Sequence, residues 1–249
     1  MTTERSPQRA DGWTAAVRQR LGLGRLLPLG GAVDGAWIAE TAAASVLRGA
    51  AVEGAVLGSL RIGPARAALD TDTEPGAPAQ AGPAVPPAPP SALPRGPVSI
   101  EAEFRAAGDR PLPDAAADLR AALVAAAATR LGLEVAEVDL RVTALIEDGA
   151  ADQVTEPDAP SSSVPVAEAE GPVAEAAAAV PGVVSLTRVM GPAVHTAEDH
   201  IRVEVATAGD RRALDVARSV RTAVSAAAAD GLPVSVLVTD VVAAPDGTP

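Results

Sequence analysis

The chain has 249 residues, a net charge of −12, no cysteine, and arginine as its only basic residue besides two histidines. The acid surplus argues against non-specific nucleic-acid binding, which needs cations to release counterions, and the missing cysteines exclude a disulfide framework and thiolate chemistry. Trp13, Trp37 and Phe104 are the only aromatic residues, so a core must come from Val, Leu, Ile and Ala, which suits small layered units.

The charge is uneven. Arg5, Arg9, Arg18, Arg20 and Arg25 make residues 1–30 a basic head on an acidic body, the pattern of an interaction arm. Trp13, Val17 and Leu21 recur every four residues, which predicts an amphipathic helix over 12–27, capped by Asp11 and ended by Pro28 and Gly30-Gly31. A second helix is expected over about 35–51. Residues 63–97 read as a disordered insertion, because ten of the 35 are proline and proline-rich chain stays extended and solvated.

Val98, Ile100, Ala102 and Phe104 then alternate with Ser99, Glu101 and Glu103, predicting a half-buried strand in an antiparallel sheet. Leu119 and Leu123 lie on one face of an expected helix from Asp114 to about Arg130. Val138, Leu140 and Val142 alternate with Asp139, Arg141 and Thr143 in a further strand. Residues 147–172 carry seven acids and no base, which marks an acidic linker.

The same order then returns. Ala-Ala-Val-x-Gly precedes the first strand at both 50–54 and 178–182, and Gly-Leu precedes the last at both 132–133 and 231–232. Ile201, Val203 and Val205 alternate with Arg202 and Glu204. Val216, Val220 and Val224 mark the inward stripe of a helix, and Val234, Val236 and Val238 form a closing strand. The expected fold is therefore α+β, with two repeated α-β-β-α-β units, each a three-stranded sheet with helices on one face. The expected divisions are a basic arm at 1–34, a first unit at 35–146, a linker at 147–165 and a second unit at 166–244.

No catalytic constellation emerges. LGLGRLL (21–27) lacks the third glycine of a dinucleotide fingerprint and follows no strand. DTDTEP (70–75) places Pro75 where a calcium loop needs glycine. There is no nucleophile elbow and no Ser, His and acid set. HTAEDH (195–200) gathers His195, Glu198, Asp199 and His200, but reads first as a polar hairpin turn; a metal or small-molecule sensor built on it is the alternative. Catalytic, cofactor and metal residues are expected to be none. No apolar stretch long enough to span a membrane occurs, and the polar N-terminus has no signal-peptide core.

IAETAAASVLRGAAVEGAVLGSLRI (38–62) and GLEVAEVDLRVTAL (132–145) resemble the alkaline-shock-protein family of envelope-stress proteins, and residues 173–186 and 203–242 resemble its actinobacterial branch. A similarity to actinobacterial proteins labelled as nucleopolyhedrovirus fibre-like accompanies it, without the heptads that label would need. The resemblance implies a non-enzymatic adaptor with no cofactor, cytoplasmic or peripheral at the inner face of the membrane. It also implies a protein partner such as a small membrane anchor protein, and self-association. Trp13, Val17, Arg18, Leu21 and Arg25 are the residues expected to contact the partner, through the docking helix at 12–27.

Overall fold

The computed structural model describes residues 22–50, 52–66, 85–146 and 164–243. Within them the chain is an α+β protein with two sheets and one continuous apolar core.

The smaller sheet has the expected three strands. Strands β3 (Ala55–Pro64), β4 (Val98–Ala107) and β5 (Val135–Ile146) lie in that order. Helix α1 (Glu40–Arg48) precedes them, and α2 (Leu112–Ala126) connects β4 to β5. The alternation of β4 buries Val98, Ile100, Ala102, Phe104 and Ala106, and α2 adds Leu119 and Leu123 to the core. β3 and β4 are antiparallel, but β4 and β5 are parallel, so the expected antiparallel sheet is mixed. The cause is the crossover helix, which returns the chain to the same end of the sheet.

The second sheet departs further from expectation. Its path is β1 (Leu26–Leu29), β2 (Ala36–Ala39), β10 (Val234–Val242), β9 (Ile201–Ala208), β7 (Val183–Thr187) and β6 (Val166–Ala167), with β8 (Val194–Thr196) also beside β9. It has seven strands rather than three. Helices α3 (Pro172–Ala178) and α4 (Ala213–Ala227) belong to this half, and α4 buries Val216, Val220 and Val224 as its stripe predicts. In both halves an antiparallel pair is followed by a helix and a strand parallel to the second member.

The extra strands β1 and β2 come from segments expected to be helical. Residues 26–27 do not continue a helix from 12, and residues 36–39 do not open the second one. Leu26–Leu29 and Ala36–Ala39 are wholly buried apolar runs, and such runs fit a strand covered on both faces. β2 sits centrally, antiparallel to β1 and parallel to β10. Residues 26–39 therefore complete the sheet of the second unit rather than forming an arm and the opening of the first.

Part of the expected disordered insertion is ordered. Residues 85–97 run along β1, where the Leu26 N–H donates to the Ser91 carbonyl and the Leu93 N–H to the Leu26 carbonyl, at 3.1 and 2.8 Å. Arg95 lies over the Trp37 ring, 4.6 Å from its centroid, and donates to the Ala32 and Pro86 carbonyls. Residues 67–84 of the insertion, and 147–163 of the acidic linker, lie outside the described residues.

The halves meet along α1, which packs against β3 and β10, and at the helical turn Ala127–Leu131 that ends α2. At the N-terminal cap of α4, Arg212 Nε donates to the Ala128 carbonyl at 2.9 Å. Gly132 sits so close to Leu214 that an added Cβ would lie 2.5 Å from the Leu214 Cβ.

Candidate functional site

Of the residues expected to contact a partner, Trp13, Val17, Arg18 and Leu21 lie outside the described residues. Arg25 lies within them and is engaged by its own chain. Its Nε and Nη2 donate to Glu40 at 3.3 and 3.2 Å, and Nη2 also donates to the Ile62 carbonyl at 2.6 Å. Glu40 in turn accepts the Ile62 N–H at 3.2 Å. Burial pushes the Glu40 carboxyl up, but the Arg25 guanidinium and these backbone donors outweigh it and hold the group below its ordinary value. Arg25 thus joins the start of α1 to β3, while its side chain stays 44% exposed.

Beside this pair is a cleft of about 480 Å³ between α1, β3 and the end of β10. Its polar lining includes Ser45, Arg48, Thr239 and Asp240. Burial raises the affinity of the Asp240 carboxyl for its proton, against a lowering by the Val241 N–H. The Thr239 hydroxyl is already engaged, 2.8 Å from Thr187 Oγ1 and donating to the Val205 carbonyl at 3.2 Å. The lining contains no histidine, and none of these groups forms a nucleophile and base pair.

The HTAEDH segment is the expected hairpin turn. His195 lies on β8 opposite Arg202, and His200 Nδ1 is 2.7 Å from Asp199 Oδ1. Among the described residues, no three His, Asp or Glu side chains are grouped to hold a metal ion. Nearby, Glu204 departs from its expected exposed face: it is fully buried. Its Oε2 accepts the Val189 and Met190 N–H groups at 2.8 and 3.0 Å, and Arg202 Nη2 lies 3.3 Å from Oε1. Its role is to fix the turn after β7, as paired buried carboxylates do.

The open surface of the small sheet is the more informative region. One face of β3–β4–β5 covers the core; the other presents Ser59, Arg61, Glu101, Glu103, Asp139 and Arg141 around a shallow depression. Across it, Ser59 Oγ donates to Glu103 Oε2 at 3.0 Å, and Arg141 lies 3.9 Å from Glu103. Arg61, Glu101 and Asp139 follow one another in register. Glu101 and Asp139 are therefore adjacent like charges, a repulsion that an incoming cation relieves.

β5 is the edge of this sheet. It is 12 residues long and, among the described residues, pairs only with β4. Ile100, Ala102 and Phe104 lie in register with Val138, Leu140 and Val142. In that parallel ladder Val138, Leu140 and Val142 turn their N–H and C=O groups away from β4. Arg120 of α2 reaches the first of these, its Nε donating to the Val138 carbonyl at 3.2 Å. Val142 and Leu145 are 37% and 59% exposed. Long uncovered edges of this kind are templates for another strand. Sequence periodicity finds the strand, but edge status depends on pairing; the signal that was readable is the near-palindrome Val-Asp-Leu-Arg-Val at 138–142.

No family model, curated protein or solved structure matches this chain.

Proposed function

We propose that the chain is a non-enzymatic adaptor that works through protein–protein contacts on its three-stranded sheet. The observation that carries this reading is the long outer edge of β5, flanked by a charged sheet face and by exposed Val142 and Leu145. An edge of this type takes an extended segment by backbone hydrogen bonds, while alternate side chains set specificity. The resemblance to envelope-stress proteins supplies the setting: a place at the inner face of the membrane, reached through a small membrane anchor protein. Among the described residues no helix is long and apolar enough to cross a membrane, so a membrane position calls for such a partner or for another part of the chain.

The test is site-specific photo-crosslinking in cells. A photoreactive residue at Val142 or Leu145 is expected to give adducts heavier than the chain, whereas one at exposed Ser219 on α4 gives none. Absence of adducts from both sheet positions, with the protein folded and abundant, would overturn the reading.

A further inference from the structure

We infer that the β5 edge is occupied by a second copy of this chain, paired antiparallel about a two-fold axis through Leu140. This inference rests on the adaptor reading and names the partner of the same edge.

Two observations carry it. The first is the shape of the free edge. Register irregularities in the β4–β5 ladder fall between Val135 and Glu137 and between Val142 and Ala144. The regular stretch between them runs from Glu137 to Val142 and contains the whole 138–142 segment. Within it Val138, Leu140 and Val142 direct their backbone groups outward, so Leu140 can pair with its own counterpart and Val138 with Val142 of the second copy. Each of those pairs exchanges both backbone hydrogen bonds, the close-spaced pairing of an antiparallel ladder.

The second observation is charge. In this register Asp139 of each copy stands opposite Arg141 of the other, on the solvent face, at positions without outward backbone bonds. Such positions bring side chains nearest to each other. Both residues are exposed, the Arg141 side chain 81% so, and an incoming Arg141 also approaches the like-charged Glu101 and Asp139. The neighbouring registers are disfavoured. A slip of two residues one way sets Asp139 against Asp139; the same slip the other way sets Arg141 against Arg141. A slip of one residue turns the Val138, Leu140 and Val142 face of one copy away from that of the other. The sequence of one edge strand thus selects itself as partner and fixes the alignment. Arg120 must share or release the Val138 carbonyl when the second strand arrives, so it guards the free edge.

Sedimentation velocity on the full chain tests this. The wild-type chain is expected to dimerise. Asp139→Arg places arginine against arginine in both symmetric contacts, and Arg141→Asp places aspartate against aspartate. Each is expected to lower self-affinity by about tenfold or more. An equimolar mixture of the two single variants restores a dimer, because every 139–141 contact is again opposite in sign. The double variant Asp139→Arg, Arg141→Asp restores it too. Calorimetry confirms that each variant is folded. A wild-type chain that stays monomeric at high concentration, single variants that dimerise as well as wild type, or a mixture that remains monomeric would each overturn the inference. Adducts from Val142 to a different protein, with a monomeric wild-type chain, would overturn the second copy as occupant and leave the adaptor reading standing.

Discussion

Arg218 on α4 grips both carboxylate oxygens of Asp34, at 2.8 and 3.0 Å, across 184 residues of chain. Asp34 also accepts the Gly31 N–H at 2.8 Å, and Arg221 donates to the neighbouring Val33 carbonyl. The turn between β1 and β2 is therefore held by the helix that crosses from β9 to β10.

This pair predicts an acid-sensitive contribution to stability. Hydrogen bonding from Arg218 lowers the Asp34 carboxyl below its ordinary value, against the opposing effect of burial, and the Gly31 N–H assists. The folded state then holds the proton less tightly than the unfolded chain. The stabilisation is complete above the ordinary aspartate value and fades as pH falls through the lowered one. Arg218→Ala should cost about 1–2 kcal/mol at neutral pH, allowing for the exposed guanidinium. The melting-temperature gap to wild type should narrow in acid, as calorimetry over a pH series will show.

Asp240 should behave in the opposite sense. Burial raises its carboxyl above the ordinary value, so the folded chain binds that proton more tightly than the unfolded one. The associated stability is present below the ordinary value and lost as pH rises through the raised one. Asp240→Asn removes the charge while keeping an oxygen to accept the Val241 N–H at this site. The variant should melt higher than wild type at neutral pH and lose that advantage in acid. A lower melting temperature at neutral pH would show that the carboxylate has a stabilising partner.

Arg25→Ala should lower stability by about 1–2 kcal/mol through loss of its contacts with Glu40 and the Ile62 carbonyl. It should leave photo-crosslinking from Val142 unchanged. A stable variant with altered crosslinking would assign Arg25 the partner-contact role that the sequence suggests.

Two glycines separate backbone strain from crowding. Gly132 and Gly231 both have positive φ, 92° and 63°. A Cβ on Gly231 meets nothing within 4 Å, whereas one on Gly132 lies 2.5 Å from the Leu214 Cβ. Gly231→Ala should cost about 1 kcal/mol, the conformational penalty alone. Gly132→Ala should cost clearly more, because α4 must shift as well. Equal melting temperatures for the two variants would refute the close approach.

Those glycines also show what was legible. The two Gly-Leu pairs and the two Ala-Ala-Val-x-Gly runs stand out in the sequence because Gly132, Gly231, Gly54 and Gly182 all adopt positive φ, which side chains resist. The period-two strands and the Val216, Val220, Val224 stripe were legible for the same local reason. β2 was not, since Ala-Trp-Ile-Ala is short, wholly apolar and without period. Neither was the burial of Glu204, whose partners at Val189 and Met190 are set by tertiary packing. Nor was the free edge of β5, because a strand's sequence does not state how many neighbours it has. The Val-Asp-Leu-Arg-Val palindrome acquires meaning only once that edge is known.

The meeting of β2 with β10 also sets a timetable for biosynthesis. A ribosome delivers residues 36–39 long before Val236, whose N–H donates to the Gly35 carbonyl at 2.9 Å. Until then the nascent hairpin has one neighbour and a bare apolar side. Closing so long a loop is slow, and waiting strands of this composition invite mispairing. The other side is shielded early: Pro28 offers no donor there, and residues 85–97 emerge soon enough to cover β1. The polypeptide thus protects one flank of the β1–β2 hairpin during translation and leaves the second open until β10 arrives.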